Sequence, residues 1–131
     1  MARRRVKLGL VAGPVLAFAL VPQTASAMSA VFTWAGIAPC EKVSPAFTLK
    51  DVPRDTQNLR FELRDNDAPH FQHGGSTVIY DGPKVPQGAV SYIGPCPPHG
   101  SVHHYVWTIE ALDGKGKVLD KTMARGTFPM Q

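Results

Sequence analysis

"NLRFELRD", residues 58–65, alternates with a period of two: Leu59, Phe61 and Leu63 fall on one side, and Arg60, Glu62 and Arg64 on the other. A helix would spread those apolar side chains around its axis. An extended chain lines them up on one face of a sheet whose other face meets water. The segment therefore predicts a strand of an antiparallel sheet with its apolar face on a core.

Outward from this strand the same pattern recurs in short pieces between turn signals. "AVFTW" sets Phe32 and Trp34 on one side, "AFTL" after Ser44-Pro45 offers Phe47 and Leu49, and "STVIY" stops at Asp81-Gly82-Pro83. In "HHYVWTIEAL", residues 103–112, His103, Tyr105, Trp107, Ile109 and Ala111 share one face. His104, Val106, Thr108, Glu110 and Leu112 share the other, so both faces are partly apolar and the strand is expected at the centre of a sheet. "ARGTF" reads as a closing strand, "KVLDKTMA" before it as a short helical turn, and "VPRDTQ" and "DGPKVPQG" as loops. Apart from Pro14 and Pro22, the prolines fall in turns or at strand ends, against long helices. The expectation is an all-β fold, an antiparallel β-sandwich with little helix, in a single domain over residues 28–131.

The first 27 residues read as an export signal rather than as fold. "MARRRVK" is a basic start, "LGLVAGPVLAFALV" an apolar stretch too short to suit a membrane span, and Ala25-Ser26-Ala27 a small-x-small pattern that suits cleavage after Ala27. No second stretch of spanning length follows, so a periplasmic or secreted product is expected. The chain has 14 Lys+Arg against 10 Asp+Glu, and Arg3, Arg4, Arg5 and Lys7 all lie in this leader, which holds no acid. What remains is balanced, and a nucleic-acid partner has little support. Cys40 and Cys96 are the only cysteines, and in an oxidising compartment an even pair reads first as a disulfide.

The residues able to do chemistry gather in three places. In "DNDAP", Asp65 and Asp67 lie two apart; together they could hold an ammonium group or a metal, or they could bond backbone amides in a turn ahead of Pro69. "HFQHGG" brings His70 and His73, with Gly74-Gly75 allowing backbone to approach a bound group closely. "GPCPPHGSVHHYVW" brings His99, His103, His104 and Tyr105; His103 and Tyr105 share a face, and His104 points away. There is no GxSxG, no phosphate-binding loop and no activated serine, so no catalytic residue and no cofactor is expected. Two competing readings remain: a metal-binding protein using His70, His73, His99, His103 and the aspartates for zinc or copper, and a protein-interaction or inhibitor module.

Taken in order, "PCEKVSPAFTL", "VPRDTQNLRFELRDNDAP", "VPQGAVSYIGPCPPHG", "HHYVWTIEALD" and "GKVLDKTMARGTF" resemble the phosphatidylethanolamine-binding protein family, most closely its bacterial branch of Raf kinase inhibitor-like proteins. The resemblance covers nearly all of the chain after the leader. It implies a non-catalytic pocket for a small anionic or zwitterionic group, such as phosphate, phosphoethanolamine or a phospholipid headgroup. By motif it assigns ligand-binding roles to Asp65, Asp67, His73, Gly94, Pro97, Pro98, His103 and Tyr105. The chain departs from the family pattern at Asn66, where a proline is usual, and at His104, where an arginine is usual. It also lacks the insertion expected between "ALD" and "GKVL", which implies a shallower and more open site.

Overall fold

A computed structural model describes residues 8–22 and 26–130. The leader reading rests partly on residues 1–7 and on Ala25, which lie outside the described residues. Residues 8–22 form no helix or strand and are exposed throughout. Among the described residues there is no helix, hence none long and apolar enough to cross a membrane.

Seven strands follow: β1 (Ser29–Phe32), β2 (Phe47–Lys50), β3 (Asn58–Asp65), β4 (Thr77–Ile79), β5 (Lys84–Val85), β6 (His103–Leu112) and β7 (Val118–Phe128). They form two antiparallel sheets, ordered β1-β2-β5 and β4-β3-β6-β7. The all-β sandwich expected from the alternation is the fold observed. β3 buries Leu59, Phe61 and Leu63 and exposes Arg60, Glu62 and Arg64, as its period demands. β6 lies between β3 and β7, the central position its two-faced pattern predicts.

Aromatic side chains fill the space between the sheets. Trp107 of β6 is fully buried and meets Phe47 of β2 edge-on at 5.3 Å, Tyr92 at 5.1 Å and Phe61 of β3 at 6.2 Å. A Cys40–Cys96 disulfide ties the segment before β2 to the loop before β6. Beside it the Cys40 amide donates to the Pro95 carbonyl at 2.8 Å.

Three expectations need correction. "KVLDKTMA" is not a helical turn: it is the first part of β7, which runs on through "ARGTF" as one strand of 11 residues paired along β6. Tertiary pairing with β6 overrides the weak local pattern there. "DGPKVPQG" is not wholly loop, because Val85 is drawn into the core and pairs with Phe47 as β5. "AVFTW" ends as a strand at Phe32, although Trp34 beyond it still turns inward and is 3% exposed.

Candidate functional site

The alternation that buries Leu63 also turns the next odd residue, Asp65, inward, so β3 ends by placing a carboxylate on the core face. Such a group must find partners when it leaves water. Register supplies them. Asp65 stands directly opposite Tyr105, and His103, two residues earlier on β6, lies on the same face. The His103 Nδ1 donates to Asp65 Oδ2 at 2.6 Å, and the amides of Asp67 and Ala68 donate to Oδ1 at 2.8 and 3.2 Å. Asp65 therefore makes the backbone turn ahead of Pro69 and meets the histidine at once.

His73 approaches the same carboxylate from the loop between β3 and β4. Its Nδ1 lies 2.6 Å from the Ile93 carbonyl, which can only accept, so Nδ1 carries the hydrogen. Its Nε2 faces Asp65 Oδ2 at 4.0 Å. The ring packs edge-on against Tyr105 at 5.5 Å and beside Phe71 at 4.6 Å. Asp65, His73 and Tyr105 are buried, while the His103 side chain is 16% exposed and leads outward. With Nδ1 held by Asp65, the His103 Nε2 is the nitrogen left for a ligand.

Electrostatics follow the geometry. Burial pushes the Asp65 carboxyl up, but the hydrogen bond and charge of His103, the Asp67 amide and the Tyr105 hydroxyl together outweigh it and hold its pKa below the ordinary carboxylate value. Burial first, and then the Asp65 charge, raise the Tyr105 hydroxyl well above its ordinary value, so it stays a neutral donor. Asp67 is more exposed. Its Oδ2 accepts from the His104 amide at 2.6 Å and from the His104 ring at 2.9 Å, which lowers its pKa.

Of the residues singled out from sequence, Asp65, His73, His103 and Tyr105 come together, with Asp67 at their edge. Oxygen or nitrogen atoms of Asp65, Asp67 and His103 also lie within 4.8 Å of one another, close enough for a metal ion. His70 and His99 are exposed and stand outside that group. Gly94 is tied to the fold itself: a Cβ there would sit 1.7 Å from the Glu41 carbonyl oxygen. Gly75 likewise approaches the Phe61 backbone, so its small size serves packing against β3 rather than approach to a bound group. Pro97 is half-buried and Pro98 exposed; the Pro98 carbonyl accepts from Ser101 in the turn before β6.

One participant was not visible in the sequence. The Ile93 carbonyl fixes the His73 ring, and a backbone oxygen has no side-chain signature. Arg125, opposite Val106 in register, lies on the other face of the sheet from Asp65 and His103, where it lines a hollow of about 420 Å³ with Asn66 and His104. Only the β6–β7 pairing brings it there.

Residues 72–128 match the family model of the phosphatidylethanolamine-binding protein. The match covers 57 of the 131 residues, from β4 to β7, and over that part the chain is similar to the family. Among solved structures it is similar to CT736 of Chlamydia trachomatis, described as a homologue in that family, at 20% identity and a TM-score of 0.55, covering 80% of this chain and 99% of that one. It is also similar to YbcL of E. coli at 20% identity and a TM-score of 0.46, covering 66% of this chain and 78% of that one. No curated protein matches the chain significantly.

Proposed function

We propose that the protein is an exported, non-catalytic binder of a small zwitterionic group of the phosphoethanolamine kind, held at the cluster of Asp65, His73, His103 and Tyr105. The observation that carries this reading is the shared Asp65 carboxylate, with His103 at 2.6 Å and His73 at 4.0 Å. In its imidazolium form His103 keeps its Nδ1 bond to Asp65 and can donate from Nε2 to a phosphate oxygen, and the neutral Tyr105 hydroxyl is a further donor. A bare anion would meet the repulsion of Asp65 and Asp67; a ligand that also carries an ammonium group turns those carboxylates into partners. Ser44 is a structural group rather than a nucleophile, for its buried oxygen accepts from the Val90 amide. Export is supported by the leader pattern and by the full exposure of residues 8–22.

A second reading has one observation of its own, the closeness of Asp65, Asp67 and His103. A metal there would compete with the His103 bond to Asp65 and the His104 bonds to Asp67. An NMR titration of the oxidised protein separates the two readings. Phosphoethanolamine is expected to give saturable shifts at Asp65, His73, His103 and Tyr105. Asp65→Asn and His73→Ala are expected to weaken binding by about tenfold or more while the domain stays folded. Unchanged affinity in both variants sinks the headgroup reading. Shifts with zinc alone move the function to metal binding.

A further inference from the structure

The Met28 amide donates to Asp120 Oδ2 at 2.9 Å, at the very bond where the small-x-small pattern places the end of the leader. Met28 belongs to the core at 3% exposure, whereas Ser26 and Ala27 just before it are exposed. The border between outside and inside chain thus falls on Ala27–Met28, the same bond the sequence pattern selects. Ser26 and Ala27 share a surface hollow of about 450 Å³ with Asp51 and Asp120, and no basic residue lines it.

We infer that this acidic hollow is the binding site for the chain's own new N-terminus: once the leader is cut after Ala27, Asp120 holds the Met28 α-ammonium as an ion pair. The inference rests on the export reading above. Hydrolysis by an external leader peptidase adds water across the Ala27–Met28 amide. The carboxylate leaves on Ala27, and the amine stays on Met28 and takes up a proton at neutral pH. Before the cut the Met28 nitrogen is a neutral donor. Afterwards its bond to Asp120 is charge-assisted, about twice as strong as a neutral one.

The site is preorganised. The amide of Lys121 donates to Asp120 Oδ1 at 2.7 Å and orients the carboxylate. The buried Met28 side chain and the pairing of Ser29 with Lys50 hold the nitrogen in place, so little freedom is lost when the pair forms. Removing the leader therefore tightens the grip on β1, whose Phe32 packs at a tilt against Phe47, 5.7 Å between ring centres.

The test uses the full chain, expressed with its leader and recovered after export. N-terminal sequencing should begin at Met28. Recovery of only the uncut chain overturns the export reading and this inference together, while any other first residue overturns this inference alone. With Met28 first, ¹⁵N NMR should place the α-amino midpoint above the ordinary range of about 7.7–8.0, returning to it in Asp120→Asn. An ordinary midpoint in the unaltered protein overturns the docking and leaves export standing. Nα-acetylation, which removes the charge and keeps a donor, should lower the melting temperature by about 4–8 °C. In Asp120→Asn the same acetylation should cost less; an equal loss in both proteins overturns the inference.

Discussion

Asp65 shows how one residue can be both scaffold and site. Its Oδ1 closes a backbone turn and its Oδ2 faces two histidines, so neither of the two uses open from the sequence excludes the other. The pH consequence has a definite sign. A carboxylate whose folded pKa lies below its unfolded value, near 3.9, stabilises the fold above that value. The contribution disappears as pH falls through the lower, folded pKa. Urea melts between pH 6 and pH 2 should show the unaltered protein losing stability below about pH 4. Asp65→Asn should be less stable at pH 6 and show a shallower acid slope; parallel pH profiles would contradict the assignment. The chemistry of Asp65, His73, His103 and Tyr105 was legible from residue types and family motif. The partner of His73 was not, because Ile93 contributes only its carbonyl.

Among the elements, β3 and β6 were readable because large apolar residues alternate along both. β7 was not, for a physical reason. Its core-facing positions, opposite Ile109, Trp107 and Tyr105, hold Thr122, Ala124 and Gly126. Small residues belong there because Phe32 and Trp34 occupy the space: a Cβ on Gly126 would come 2.9 Å from the Phe32 ring and 3.2 Å from Trp34 Nε1. The strand thus lacks the apolar alternation that would announce it. Gly126→Val should cost about 1–3 kcal/mol by overpacking, measured by chemical denaturation. Gly94→Ala tests a harder contact, since the Glu41 backbone cannot swing aside as a side chain can. It should lower the melting temperature even in the absence of ligand, and an unchanged melt would mean that the loop bearing Cys96 yields freely.

For the molecule as a whole, two sheets share one aromatic core and the disulfide closes a long loop around it. Cys40 and Cys96 are 56 residues apart, and chain-entropy arguments assign such a cross-link about 4 kcal/mol. Reduction should lower the denaturant midpoint accordingly, a large fraction of the stability of a small domain. Trp107→Ala should cost about 3–5 kcal/mol, since its ring is the hub between Phe47, Phe61 and Tyr92. The sandwich could be anticipated because its strands are punctuated by turn residues. The sheet order and the corner where β1 meets β7 could not, since both depend on pairings distant in the chain.

The β6–β7 ladder also has a polarity. Tyr105 marks the end that carries Asp65 and His103, and Ala111, opposite Asp120, marks the end where Met28 is held. They are six residue steps apart, about 20 Å along the ladder. A chain tethered through Met28 to a bead, a sensor chip or a bilayer would therefore stand with its histidines turned toward the bulk phase, open to whatever diffuses past.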